Sequence, residues 1–349
     1  MNHVIAMPFF DKPCGIDTHP LELHWESGGM GTLLVTGALG QIGSELVRKL
    51  QAQVGAANVI ASDIRESAEF GDVTFVKLDV LDRDALATIV REHNVEVIYH
   101  LAAILSAAAE RSPDLAWKVN MDGSLNVLNV AREAGVKKVF IPSSIAAFGP
   151  STPLDDTPQD TIQRPNAIYG ITKVAMELMG DYYFDKFQVD CRGVRFPGII
   201  SYRTPPGGGT TDYAIDMFVS ALRGEPYTCY LSPDTSLDMM YMPDALKAMI
   251  EVMEADSEQL KHRNAFNVSA FALTPARLAA AIQEHVPSFE CHYESESVRQ
   301  AIADSWPNNM DDSAAREQWG WKPDYDLSAM VKDMLEKLPA FLDRFSSHS

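Results

Sequence analysis

The sequence predicts an α/β fold built on a doubly wound parallel sheet, and three observations carry that expectation. The stretch "LLVTGALGQIGSEL" (residues 33–46) passes from an aliphatic strand through spaced glycines into a helix. Short aliphatic runs then alternate with helical segments as far as "KKVFIPSS", the pattern of strand and helix units that pack as a parallel sheet. The chain has 349 residues, 46% hydrophobic and 22% charged, an ordinary globular composition with length for one large domain or two coupled lobes.

The elements follow in order. "TLLVTG" suits a buried parallel strand, and "QIGSELVRKLQAQ" places Ile42, Leu46, Val47 and Leu50 at helical spacing. Between them Gly37, Gly40 and Gly43 form GxxGxxG, which permits a tight turn, close approach of backbone to a pyrophosphate, and tight packing of helix on strand. The first helical turn, at Gln41 and Ile42, offers free N–H groups and a partial positive charge to phosphate oxygens. "NVIASDIRE" reads as a second strand ending at Asp63, twenty residues after Gly43. A carboxylate there accepts hydrogen bonds from an adenosine ribose and repels a 2′-phosphate, which favours NAD over NADP. Arg65 weakens that preference, and the plainer role for Asp63 is a helix or turn cap. A third strand, "VTFVKLDVLD", ends at Asp79, next to Val80. A fourth, "VEVIYHLAA", ends in His100 to Ala103, where Leu101, Ala102 and Ala103 leave room for a flat ligand at the carboxyl edge of the sheet. His100 itself reads as a packed structural histidine. A helix over roughly 114–133 precedes the fifth strand.

Charge and cysteine content narrow the function classes. With 29 basic and 48 acidic residues the formal net charge is -19, which repels nucleic-acid backbones and anionic membrane surfaces. No apolar run reaches the roughly 18 to 20 residues of a membrane-spanning helix. Cys14, Cys191, Cys229 and Cys291 are scattered without a CxxC pair, so neither a zinc site nor a redox pair is expected, and a reducing compartment is the simplest reading. Residues 1–30 lack an apolar run long enough for a secretory signal and, with no Arg but with Asp11, Asp17, Glu22 and Glu26, do not resemble an import presequence. They are expected to form an extension, possessing no ordered fold of its own, before a domain starting near Gly31.

The chemistry enters after the fifth strand. "SSIAAFGP" is followed, twenty-five residues beyond Ser144, by "YGITK", in which Tyr169 and Lys173 are four apart and share a helix face. A tyrosine is a poor base near neutral pH unless a neighbouring cation stabilises its phenolate. Lys173 can supply that charge and reach ribose hydroxyls, while Ser144 holds a substrate oxygen and Tyr169 removes its proton. A bare YxxxK occurs by chance in many helices, so the weight lies in the combination with GxxGxxG and the serine at a strand end.

Taken together these motifs resemble the extended short-chain dehydrogenase/reductase superfamily over about residues 33–338. Within it, "PSSIAAFGP", "RFPGIIS", "PGGGTTDYAI" and "SWPNNMDDSAAREQWGW" are similar to the short-chain type of L-threonine 3-dehydrogenase. The resemblance implies a Rossmann-type NAD domain over 31–200 and a smaller C-terminal substrate-binding lobe and lid over 201–340, with some segments returning to the first domain. It implies Asn120, Ser143, Phe196, Pro197 and Ile199 as further cofactor contacts beside Tyr169 and Lys173. Pro197, with its fixed φ, suits a rigid wall for the nicotinamide. It also implies a substrate shell of Ser106, Ser143, Ser144, Tyr169, Thr210, Thr211 and Asp212, closed by Trp306, in which hydroxyls and a carboxylate receive an amino-acid zwitterion. The alternative role for Thr210 and Thr211 is helix capping, and Trp319 and Trp321 read as packing residues.

The implied reaction is NAD-dependent oxidation of the L-threonine 3-hydroxyl, without a metal. A nucleotide-sugar epimerase or dehydratase would share the same catalytic residues but needs cations for a diphosphate, and residues 201–240 hold only Arg203 and Arg223, with Arg263 and Arg299 further along. A non-catalytic nucleotide-binding regulator would be expected to have lost the Tyr169 and Lys173 pair. The resemblance implies a homodimer in which the helix carrying Tyr169 and the preceding long helix pair with their copies in a four-helix bundle, and Val119, Leu125, Val127, Leu128 and Val130 on the earlier helix exceed one narrow apolar stripe, consistent with burial on two sides. By the resemblance alone the compartment would be mitochondrial in a eukaryote and cytoplasmic in a bacterium.

Overall fold

The computed structural model describes residues 31–205 and 207–345, so the expected N-terminal extension lies outside the described residues. The chain enters at β1 (Thr32–Thr36) and continues through α1 (Gln41–Val54), β2 (Val59–Asp63), β3 (Thr74–Lys77), α2 (Arg83–Glu92) and β4 (Val95–His100). Helices α3 (Ser106–Arg111), α4 (Pro113–Trp117) and α5 (Gly123–Ala134) lead to β5 (Lys138–Phe140), a short strand β6 (Ser143–Ser144) and the long helix α6 (Ile168–Phe187). Then come β7 (Asp190–Arg192), β8 (Val194–Phe196) and β9 (Gly198–Ile200). The main sheet is wholly parallel in the order β3-β2-β1-β4-β5-β7. The strand order reverses between β1 and β4, which opens a crevice at their carboxyl ends where ligands of such sheets bind.

Both faces of the sheet are covered, as the aliphatic strands require. One core joins Leu46, Val47 and Leu50 of α1 to Leu33 and Val35, and the other joins Val127 and Leu128 of α5 and Met176 of α6 to Leu34 and Ile98. The C-terminal part contributes α7 (Tyr213–Arg223), β10 (Tyr227–Cys229), β11 (Leu237–Tyr241), α8 (Met242–Glu254), β12 (Phe266–Asn267), β13 (Phe271–Leu273), α9 (Pro275–Gln283), β14 (Cys291–Tyr293), α10 (Ser297–Ala303), α11 (Ser313–Trp319) and α12 (Leu327–Lys337). Helices α7, α9 and α12 build a third core around Phe218, Leu278 and Met330. Helix α8 instead returns to the sheet, where Met249, Val252 and Met253 join the α1 core.

Four local expectations differ from the structure, each for a traceable reason. The third strand stops at Lys77, because the exposed Asp79 carboxylate accepts the Leu81 N–H at 2.9 Å and turns the chain toward α2, while Val80 is buried against Gly123. The fifth strand splits at Pro142, which has no N–H for the ladder, so Ser143 and Ser144 pair with Arg195 and Phe196 of β8 in a separate sheet, β12-β8-β6. The helix expected over 114–133 contains a π turn at Lys118–Asp122 that holds Asn120 inward. Val127, Leu128 and Val130 lie inside the protomer core and Leu125 packs on it, so this set does not form an outer face. Exposed apolar side chains lie instead at Leu115 and Trp117 of α4 and Ile171, Leu178 and Tyr182 of α6, among other positions.

Among the described residues no helix is long and apolar enough to cross a membrane. Cys191, Cys229 and Cys291 are free thiols.

A buried carboxylate ties the lobe together. Asp238 of β11 accepts the Ser269 hydroxyl and the Met310 N–H, each at 2.9 Å, and burial pushes its pKa up to about 8. The folded-state value lies above the unfolded one of about 4, so the stability this group contributes is complete below about pH 4 and lost as pH rises through about 8. Asp238→Asn keeps the acceptor toward Met310 and cannot ionise. Its melting temperature is expected to fall less than the wild-type value between about pH 6 and about pH 9, and identical pH profiles in a thermal melt would contradict the assignment.

Candidate active site

The glycine turn has no room for side chains. Gly37 adopts φ +68°, and a Cβ there would stand 2.6 Å from the Ala102 nitrogen; a Cβ at Gly43 would stand 2.9 Å from Ala38 Cα and closer still to the Gly37 carbonyl oxygen. The turn therefore seats α1 directly on its own backbone and leaves the helix N-terminus, capped by Gly40 with no side-chain partner, facing the crevice. Gln41 lines the crevice and its Nε2 is buried without a protein partner. Asp63, at the end of β2, accepts the Leu39 N–H at 3.1 Å and pairs with Arg65 Nε at 3.2 Å, so it caps the turn and its charge is partly matched by Arg65. A cradle that a Cβ would fill, an open helix terminus and an orphaned amide donor together fit a dinucleotide pyrophosphate.

The candidate catalytic groups meet where β6 faces α6. Pairing with β8 fixes Ser144, whose Oγ accepts the Ala146 N–H at 3.2 Å and hydrogen-bonds the Tyr169 phenol. Tyr169 and Lys173 occupy successive turns of α6, with Lys173 Nζ 5.4 Å from the phenol ring centroid and donating to the Pro142 carbonyl at 2.7 Å. The missing ladder position at Pro142 thus gives the ammonium its anchor. The sequence leads one to expect a lowered phenol pKa; burial instead pushes Tyr169 up to about 12, with the Ser144 hydrogen bond opposing it only in part. Burial also pushes Lys173 down to about 8, with the Glu177 carboxylate pulling the other way. Both shifts have one cause, since removing water disfavours the charged form of each group.

Several expected residues line this cleft together: Gly37, Gly40, Gln41, Ile42, Gly43, Leu101 and Ala103 at the cofactor end, and Ser106, Ser143, Ser144, Tyr169, Lys173, Phe196, Pro197, Ile199, Thr210, Thr211, Asp212 and Trp306 beyond them. Asp63, Asp79, Val80, Ala102 and Asn120 are not in its lining. The Asn120 amide is used instead to hold Ile104, accepting its N–H at 2.8 Å and donating to its carbonyl at 3.1 Å, and it donates to Thr172 at 3.2 Å, so it clamps the β4–α3 loop to α6. Ala102 and Asn120 border a smaller cavity behind Lys173. His100 bridges Thr36 at 2.8 Å and Ser124 at 3.1 Å, and burial holds its pKa near 3, so it is a neutral structural group.

At the substrate end the side chains are less available than their types suggest. The Ser143 hydroxyl donates to Glu177, which also receives a bidentate ion pair from Arg195 at 2.9 and 2.8 Å. The Asp212 carboxylate accepts the N–H groups of Gly208 at 3.0 Å and Gly209 at 2.6 Å, so it braces the glycine-rich loop; burial nonetheless raises its pKa to about 6. The Thr211 methyl group packs toward Gly198. Among the expected substrate-shell residues, Thr210 presents a buried hydroxyl with no protein partner. Trp319 and Trp321 pack on each other and Phe266, as expected of core aromatics. Among the described residues no cluster of His, Cys, Asp or Glu is placed to hold a metal ion.

The profile of the NAD dependent epimerase/dehydratase family matches residues 33–269. The chain belongs to that family. An uncharacterized epimerase/dehydratase of Staphylococcus haemolyticus is 51% identical over 312 residues, covering 88% of this chain and 98% of that protein. The holo form of an L-threonine dehydrogenase from Cupriavidus necator has TM-score 0.87 at 51% identity, covering 88% of this chain and 99% of the other. A monomeric L-threonine 3-dehydrogenase from a metagenome superimposes with TM-score 0.85 at 44% identity, over 88% of this chain and 99% of the other.

For this epimerase/dehydratase family member, sequence reasoning missed the cleft residues Leu105, Pro142, Ile145, Gly207 and Gly209. It also missed Glu177, although its position four residues after Lys173 on the same helix face was a readable signal. Arg195 offered no such signal, since only the fold brings β8 beside α6.

Proposed function

We propose that this family member oxidises the 3-hydroxyl of L-threonine with NAD, giving 2-amino-3-ketobutyrate and NADH. The observation that carries the reading is the charge of the cleft lining, in which Lys173 is the one cationic side chain among the described residues. A sugar diphosphate calls for arginine or lysine at its phosphates. The candidates are engaged elsewhere: Arg203 stacks 4.7 Å over Phe341, Arg223 donates to the Phe345 carbonyl, Arg263 pairs with Asp190 at 3.0 Å, and Arg299 lies 4.1 Å over Tyr230 and pairs with Glu296 at 3.3 Å. A small zwitterion needs only donors and acceptors of the kind Ser106, Ser144 and Thr210 provide. The L-threonine dehydrogenases among the similar structures support the same substrate.

Bound NAD supplies the hydride acceptor and a positive ring charge. Ser144 holds the substrate oxygen, Tyr169 takes its proton, and the Lys173 ammonium supports the phenolate as it forms. Phe196, Pro197 and Ile199 wall the reacting end against water. Asp63 favours NAD over NADP, because Arg65 is already folded onto it and a 2′-phosphate would approach a carboxylate.

Thr210 offers the direct test. Its hydroxyl, buried without a protein partner, carries a desolvation penalty that a hydrogen bond to substrate would offset. Thr210→Val is expected to leave the melting temperature unchanged or higher and to raise KM for threonine on the order of ten- to a hundredfold, the worth of a hydrogen bond to a charged group. An unchanged KM in steady-state kinetics contradicts the assignment.

Exposed apolar side chains on α4 and on α6, the helix that carries Tyr169, support the homodimer reading. Ile171, Leu178 and Tyr182 form one stripe along α6 beside Leu115 and Trp117, an apolar patch suited to a second copy. Gel filtration is expected to give twice the 38.5 kDa chain mass for wild type and the chain mass for Leu178→Asp. A monomeric wild type, like the metagenome relative, would contradict the dimer. The curated relatives are bacterial, which favours the cytoplasmic branch of the compartment expectation.

A further inference from the structure

Two polar pairs, one buried and one half-buried, join the cofactor helix to the segment that enters the substrate loop. Ser44 and Glu45 lie in the first turns of α1, on the flank away from the cleft lining. The Ser44 hydroxyl meets the Thr204 hydroxyl at 2.9 Å, and the Glu45 carboxylate accepts the Ser201 hydroxyl at 2.6 Å. Ser44 is 4% exposed, Glu45 7% and Ser201 0%. Burying a carboxylate here is costly, and burial raises the Glu45 pKa despite the Ser201 hydrogen bond and the nearby Arg203, Arg48 and Lys337 charges. Apolar side chains would pack the same contact more cheaply, so the polar pairs are better explained as fixing one register between the two segments.

That register matters because of what lies on either side of residues 201–204. Before them, Gly198 and Ile199 of β9 line the cleft; after them come Gly207, Gly209 and Thr210, at its substrate end. None of Ser44, Glu45, Ser201 or Thr204 lines the cleft itself. The first turn of α1 is also the turn whose free N–H groups face the pyrophosphate site. A ligand that holds this turn therefore holds, through two hydrogen bonds, the root of the loop that carries Thr210.

We propose that Ser201 and Thr204 are positioning residues that couple cofactor binding to the substrate loop, so that NAD at the glycine turn tightens the site for the amino acid. The inference rests on the threonine reading above. Coupling of binding free energies is reciprocal, so threonine must tighten NAD by the same factor.

The test measures NAD affinity by calorimetry in Tyr169→Phe protein, where both ligands can be present without turnover, with and without saturating L-threonine. Threonine is expected to tighten NAD on the order of five- to tenfold, within the usual range for such coupling. Adding Ser201→Ala and Thr204→Val is expected to leave the affinity for NAD alone within about twofold and to abolish the enhancement, the energetic signature of a lost coupling rather than a lost site. Thr204→Val by itself leaves the Glu45 and Ser201 pair intact and serves if the double change does not fold; it is expected to reduce the enhancement, and Thr204→Ser to restore it. An enhancement that survives the double change overturns the coupling, as does its absence from the parent protein when the unsubstituted enzyme oxidises threonine. Failure of the unsubstituted enzyme to oxidise threonine overturns the substrate reading instead, and the coupling with it.

Discussion

Tyr169→Phe is expected to lower kcat for threonine oxidation by about 10³-fold, within the range that a positioned acid or base contributes. The substitution removes one oxygen and leaves the ring in the same space, beside Lys173 and at the start of α6. NAD affinity should change little, because the glycine turn and the α1 terminus are untouched. A loss in kcat with little change in NAD binding is the pattern of an interaction realised in the transition state. A variant retaining more than about a tenth of wild-type kcat would remove Tyr169 from the base role.

Gly43→Ala should be nearly as damaging by a different route. The added Cβ would meet Gly37 O and Ala38 Cα, which are backbone atoms of the turn itself and cannot rotate away as a side-chain end would. Gly37 cannot retreat either, since it is wedged against Ala102. Overpacking of this kind costs about 1–3 kcal/mol. Because the turn is the phosphate seat, that cost is expected to appear as a loss of NAD affinity on the order of 5- to 150-fold. Gly55→Ala is the control: its φ of +84° is strained for alanine, but no atom lies within 4 Å of the new Cβ, so it should lower stability without changing NAD affinity. Equal effects of the two substitutions on binding would argue that strain, not contact, governs the site.

The parts of this architecture that were legible in the sequence are those set by local rules. GxxGxxG between a strand and a helix has one common structural meaning, and Tyr169 and Lys173 share a face because the helix repeat is fixed. What was not legible depends on partners remote in the chain. Ser143 and Asp212 carry suitable groups for a substrate, yet Ser143 donates to Glu177 and Asp212 is occupied by its own loop. Asn120 reads as a cofactor contact by resemblance, but the π turn directs its amide to Ile104 and Thr172. The depressed pKa expected for Tyr169 failed for a related reason, since spacing reveals the cation but not the desolvation that acts on both groups. The π turn and the split at Pro142 are irregularities within otherwise regular segments, and both sit beside the site.

The most direct test of the central claim is NADH formation by the unsubstituted enzyme given L-threonine, L-serine, L-allo-threonine or a UDP-sugar under the same conditions. NADH is expected from L-threonine far in excess of the other amino acids, with no conversion of the UDP-sugar. Epimerisation or dehydration of the UDP-sugar, with threonine inert, would contradict that claim.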